Sequence, residues 1–196
     1  MNPRTGSILI IAAVAVLVVV AAVFIATDVA IVGWLIFAVV LVTSPFWVAR
    51  LAFARFAQQA AARDAALAQR HPDAVLVPIV VQRETARALQ EVAAALGLRT
   101  TLANSTYGTV VVDRDAVRVA TGDRDPAERA ALPLRELTVV RRGQTEPPRR
   151  PLPTVDLVFG EGVVQVVPLA WNGWSPKSVP VGEVDSLVAA IEAKRA

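Results

Sequence analysis

Residues 7–49 constrain this chain more than any other feature. Apart from Ser7, Thr27, Asp28, Thr43 and Ser44 they are apolar, Gly or Pro, and no Lys or Arg occurs in the run before Arg50. One membrane crossing takes about 20 apolar residues through a hydrocarbon core about 30 Å thick, so a run of this length divides into two crossings. The division falls at residues 26–29, because a carboxylate costs a few kcal/mol at mid-bilayer and little at a hairpin tip, and Asp28 sits there. The chain is therefore expected to begin with a transmembrane hairpin, residues 1–49, with helices over 8–25 and 30–49. A cleaved signal peptide fits less well. Its apolar core runs to about 7–15 residues and ends at a small-residue site, whereas this core is longer and a second span follows at once.

Basic residues near the spans set the orientation. Arg4 precedes the first span, Arg50 and Arg55 follow the second, and the loop between carries only Asp28. Lys and Arg close to span ends favour the cytoplasmic side, so both termini are expected inside, in the inner (plasma) membrane. Trp34 near one end of the second span and Phe46 and Trp47 near the other read as interfacial anchors, and Pro45 removes one helical hydrogen bond. Beyond the bilayer no breaker interrupts the chain until His71-Pro72, so residues 50–72 read as a helical stalk. Arg50 and Arg55 are positioned there to meet phosphate headgroups.

Composition narrows the function classes. With no Cys there are no disulfides, thiolate metal sites or Cys nucleophiles, and with His71 the only histidine every two-His ligand set is excluded. The pI near 10.1 reflects a formal charge of only +3 with acidic and basic residues interspersed, so nucleic acid is not an expected partner. Phosphate-binding loops, dinucleotide fingerprints and nucleophile elbows are all missing. Asp113 and Asp115, like Asp123 and Asp125, have the spacing of a cation-binding pair, but an Arg stands between the members of each and Asp is at home in turns. Asn104-Ser105-Thr106 matches a glycosylation acceptor that a cytoplasmic location would leave unused. No catalytic, cofactor or metal site is expected.

A soluble α+β domain is expected over residues 73–196. Residues 74–81 read as a strand that Pro78 confines to an edge or bulge. Residues 83–96 read as a helix with Thr85, Leu89, Val92, Ala93 and Leu96 on one stripe and Gly97 as its cap. Strands are expected over 109–112, 116–120, 134–141, 155–159 and 163–169, with 98–102 a further candidate. Turns at 113–115, 122–126 and 160–162 fold them back on one another. A closing helix over 183–195 presents Val184, Leu187, Val188 and Ile191, with acids near its start and bases near its end as the macrodipole favours.

Residues 109–119 (Thr-Val-Val-Val-Asp-Arg-Asp-Ala-Val-Arg-Val), then 132–140 (Leu-Pro-Leu-Arg-Glu-Leu-Thr-Val-Val), then a hairpin and a terminal helix resemble the bacterial pleckstrin-homology-like (PH-like) domains. The resemblance covers about residues 107–196 and implies an antiparallel sheet or small barrel closed by a C-terminal helix, serving binding or assembly and carrying no catalytic residues. The strand and helix over 74–96 depart from the simple domain.

Two stretches are candidate contact sites. Residues 141–153 carry Arg141, Arg142, Arg149 and Arg150 among prolines, and basic residues near an anionic leaflet gain about 1 kcal/mol each, so these four are candidate membrane-surface contacts together with Arg50 and Arg55. Trp171 and Trp174 flank an Asn-Gly turn and are candidate partner contacts. The expected role is membrane-anchored binding or scaffolding, with the lipid bilayer and another membrane or cytoplasmic protein as partners. The alternative is an accessory subunit of a transporter or channel complex, in which Asp28 packs between helices.

Overall fold

The computed structural model describes residues 30–102, 106–145, 151–171 and 176–195. The expected first crossing (8–25), Asp28, Asn104, Ser105, Arg149, Arg150 and Trp174 lie outside the described residues. The chain forms two compact units, Met1–Ala52 and Phe53–Ala196.

Helix α1 (Ala30–Arg70) runs for 41 residues and contributes to both units. Among the described residues it is the one helix long and apolar enough to cross a membrane, and its most apolar window is entirely unburied. Val39 (60 % exposed) and Val42 (75 %) lie in that window, and an apolar surface of this kind requires lipid or protein around it. Of the two helices read from the sequence as crossings, the second falls among the described residues. The helix passes through Pro45 without ending. Proline cannot donate to the carbonyl four residues back, that of Leu41, and the Ser44 hydroxyl donates to this carbonyl at 3.4 Å, while Thr43 donates to the Val39 carbonyl at 2.7 Å.

In the second unit, strands β1 (Val75–Val81), β2 (Thr106–Val112), β3 (Ala116–Thr121) and β4 (Ala127–Pro133) form an antiparallel sheet in that order. Helix α2 (Arg83–Ala95) lies between β1 and β2 in the chain. A 3-10 turn (Leu134–Glu136) leads to a second antiparallel sheet of β5 (Leu137–Gln144), β6 (Pro153–Phe159) and β7 (Gly162–Val166). The short pair β8 (Leu169–Trp171) and β9 (Pro176–Ser178) precedes α3 (Val181–Arg195). The described residues are thus α+β: a long apolar helix, antiparallel sheets and a C-terminal helix.

Period-two alternation builds the core. Val77, Ile79 and Val81 of β1 are buried with Val110 and Val112 of β2, Val117 and Val119 of β3, and Leu132 of β4; Val140, Leu157, Phe159 and Val164 of the second sheet join them. Leu89 and Val92 of α2 and Val184 and Ile191 of α3 close this core, with Leu187 and Val188 packed at its margin. The Arg195 guanidinium donates to the Thr138 carbonyl and ties the end of α3 to β5.

Pro78 sits where its missing N–H allows, since β1 is an edge strand with β2 on one side and only the bridge Ile79↔Pro168 on the other. Gly97, at φ +71°, caps α2: its own N–H bonds the Ala94 carbonyl and that of Leu98 the Ala93 carbonyl at 2.7 Å. The strand reading needs four corrections. Ala127–Pro133 is a strand although its Ala, Glu and Arg favour helix, because pairing with β3 buries Ala130 and Leu132 on alternate positions. The strand expected over 134–141 consequently begins at Leu137, after the 3-10 turn, and the one expected over 163–169 breaks at Val167-Pro168. Residues 98–102 form no strand; Thr101 donates one bond to the Arg129 carbonyl of β4.

Candidate functional site: the seam between helix α1 and the first sheet

The sequence reading makes residues 50–72 a helical stalk and starts the domain at 73. In the structure, Phe53–Arg70 belongs to the same compact unit as the sheets. One face of the first sheet contributes to the main core, and Thr109, Val111 and Ala120 on the other meet α1. Phe56, Ala60, Arg63, Leu67 and Arg70 recur every three or four residues, so they line one face of the helix. Ala60 (1 % exposed) and Leu67 (0 %) are buried. Leu67 packs with Val111 and Ala120, with Ala74 and Leu76 at the margin, as a second small apolar cluster.

Arg63 is the centre of the seam and is 3 % exposed. Its Nε donates to Thr109 Oγ1 at 2.8 Å, its Nη2 to the Gly108 carbonyl at 3.2 Å, and its Nη1 to the carbonyls of Tyr107 (3.3 Å) and Gly122 (3.4 Å). The Thr109 hydroxyl in turn donates to Asp64, whose carboxylate lies 3.7 Å from Arg63 Nε. Burial pushes the Arg63 guanidinium below its ordinary value, with Asp64 and Asp123 acting in the opposite direction. A buried charge is tolerated only when its donors are satisfied. Here the partners are mostly backbone carbonyls of β2 and the β3–β4 turn, so the guanidinium reads the shape of the sheet.

Each end of the seam has its own chemistry. At one, Phe56 stacks against Tyr107 (centroids 5.7 Å apart) and Tyr107 against Trp171 (5.1 Å), and the Trp171 Nε1 is buried without a hydrogen-bond partner. Gln59 donates to Asp123 at 3.0 Å nearby. At the other, Arg70 donates to the Pro126 carbonyl and to Asp125 Oδ1 (2.7 Å). His71 Nδ1 and Nε2 lie 3.4 Å from Asp113 and Glu128. Arg118 donates to the same two carboxylates at 3.0 Å. Burial alone would raise the Asp113 carboxyl, but hydrogen bonds from the Ala116 and Asp115 amides and from Arg118 outweigh it and hold the group below the usual carboxylate value. Burial lowers Arg118, and its bonds to Asp113 and Glu128 more than reverse this, leaving it raised.

The residues singled out from the sequence do not converge on this seam as a group. The Arg50 guanidinium lies 5.3 Å from the centre of the Trp47 ring, and Arg55 is exposed on α1. Arg141 and Arg142 belong to β5 and not to a loop, paired in register with Asp156 and Val155. As neighbours on a strand they point to opposite faces. Arg142 Nη1 bonds both Asp185 oxygens (3.1 and 3.0 Å), and Arg141 Nε lies 3.9 Å from the buried Asp156. Of the four arginines expected to share one loop, Arg141 and Arg142 thus lie on a strand, and Arg149 and Arg150 lie outside the described residues. Trp171 is half-buried in the aromatic stack. Among the described residues no group of three or more His, Cys, Asp or Glu is arranged to hold a metal ion.

Sequence reasoning missed Arg63, Asp64, Thr109 and the docking of Leu67. The available signal was slight: Leu67 is the one large apolar residue between Phe56 and Val75, and Thr109 leads the three valines 110–112. No family profile, curated protein or solved structure matches this chain.

Proposed function

We propose that the chain is a membrane-anchored binding or scaffolding protein whose folded part is a PH-like module without catalytic activity. The observation that carries this reading is α1, apolar and unburied in one part and, through Ala60, Arg63 and Leu67, a component of the folded unit in another. A domain whose anchor is also one of its own structural elements is suited to staying at the membrane and receiving partners there. A four-stranded antiparallel sheet, a three-stranded one and a closing helix, in that chain order, support the PH-like reading; α2 between β1 and β2 is then an elaboration of it. The charges of Arg4, Arg50 and Arg55 support two spans, over 8–25 and 30–49, with both termini on the cytoplasmic side of the inner membrane.

The absence of Cys makes topology directly measurable. Single Cys variants at Asp28 and Lys194 are treated with a membrane-impermeant maleimide in intact spheroplasts. The Asp28 variant is expected to label at once and the Lys194 variant only after permeabilisation; labelling of the latter in intact spheroplasts overturns the orientation. The binding role is tested by crosslinking in intact membranes, which should give a discrete adduct. Only monomer under all crosslinker lengths contradicts it.

A further inference from the structure

A cleft of about 430 Å³ lies between α2 and the β6–β7 turn, within the size range of ligand sites and with no residue of α1 lining it. Its floor is apolar: Ala88 and Val92 from α2, Leu96 just beyond its end and Phe159 from β6, with Val163 at the lip 37 % exposed. Backbone geometry fixes both walls. A Cβ on Gly162 would lie 2.5 Å from Val92 Cγ2, so only glycine lets the hairpin approach the helix this closely, and Gly160 turns the chain at φ +58°.

Every charged side chain that lines the cleft is a glutamate, and the three come from separate elements: Glu91 from α2, Glu136 from the 3-10 turn and Glu161 from the β6–β7 turn. Glu91 pairs with Arg87 and Glu136 with Arg135, both as solvent-exposed pairs that contribute little and exchange readily. Glu161 makes no ion pair among the described residues. The C-terminal end of α2 adds the negative pole of its dipole, and its last turn has no basic residue to offset it. On a chain whose formal charge is +3, the three glutamates together with Arg87 and Arg135 leave this lip one negative charge, that of the unpaired Glu161. An apolar floor rimmed by glutamates complements a side chain with an apolar stem and a cationic head, the chemistry of Arg and Lys.

We propose that this cleft docks a peptide segment of a partner protein in which an apolar side chain adjoins Arg or Lys, the apolar group over Val92 and Phe159 and the cationic head among the three glutamates. This deepens the binding role proposed above and rests on it. The test uses the full chain in nanodiscs of zwitterionic lipid, with labelled Val and Leu methyl groups. The probes are the synthetic pentapeptide acetyl-Leu-Arg-Val-Arg-Leu-amide and its counterpart with Glu in place of Arg, each at millimolar concentration.

The cationic peptide is expected to shift the methyl signals of Val92, Leu96 and Val163, and the acidic one to leave them unmoved. Combined Glu91→Gln, Glu136→Gln and Glu161→Gln should weaken binding by about tenfold, the sum of three exposed charge contributions. Glu161→Gln alone, at an exposed turn tip, should weaken it in the same direction with the fold untouched. Shifts that are absent with the cationic peptide, equal with the acidic one, or unchanged in the Gln variants overturn the proposal. In that event a crosslinked adduct on the wild-type chain still upholds the broader binding role, and its absence removes that role separately.

Discussion

Replacing Arg63 by Ala is the sharpest perturbation of the seam. The guanidinium is 3 % exposed and donates to one hydroxyl and three backbone carbonyls at 2.8–3.4 Å. Hydrogen bonds to a charged group contribute about 1.5–3 kcal/mol net, and truncation also leaves Thr109, which is 0 % exposed, with one partner fewer. Against this stands the desolvation of the guanidinium, which its lowered pKa registers and which the Ala variant no longer bears. Breaking a buried charged network by removing one member typically costs about 3–5 kcal/mol, and Arg63→Ala is expected in that range. For a unit of this size such a loss lowers the melting temperature by about 10–25 °C. Arg63→Met keeps the apolar stem and discards the charge with its desolvation, so it should cost less, about 1–3 kcal/mol. Thermal unfolding of the full chain in detergent, followed by the sheet signal in circular dichroism, measures both. A loss under about 1 kcal/mol for Arg63→Ala, or an Arg63→Met variant less stable than the Ala one, would refute the reasoning.

The Asp113 carboxyl titrates below its ordinary value in the folded chain, so its contribution is full above the unfolded pKa of about 3.9 and is lost as pH falls through the lower folded value. The stability gap between wild type and Asp113→Asn should therefore be constant near neutrality and shrink below about pH 4; a gap that widens on acidification contradicts the assignment. Gly162→Ala forces a Cβ to 2.5 Å from Val92 Cγ2 and should cost about 1–3 kcal/mol as overpacking. Gly160→Ala, with nothing within 4 Å and φ +58°, should cost only the backbone term of about 1–2 kcal/mol; methyl shifts at Val92 should accompany the first substitution and not the second.

What could be read from the sequence was whatever repeats with a period. The apolar stretch of α1, the stripe of α2 ending at Gly97, the edge position of Pro78 and the buried Val184 and Ile191 of α3 all follow from spacing and from the chemistry of Gly and Pro. Strand β4 was not legible because Ala127–Pro133 has no strand propensity of its own, and only its partner β3 makes it one. Arg141 and Arg142 look like loop residues beside Gly143, yet Gly143 is needed inside the strand: a Cβ there would lie 2.3 Å from the Asp156 carboxylate. The seam escaped notice for a different reason. Its helix face interleaves Phe56, Ala60 and Leu67 with Arg63 and Arg70 and so shows no continuous apolar stripe, and Arg63 bonds to backbone carbonyls, which no residue pattern announces.

Native-state hydrogen exchange on the full chain in nanodiscs tests most directly whether the end of α1 is part of the domain's cooperative core. Amides of Arg63, Asp64 and Leu67 are expected to open with the same free energy as those of Val111 in β2 and Leu157 in β6, and Leu67→Ala should lower all of them together, because one global unfolding exposes them. Exchange at Arg63 and Leu67 that proceeds by local opening while Val111 and Leu157 stay fully protected would contradict the seam and restore the stalk.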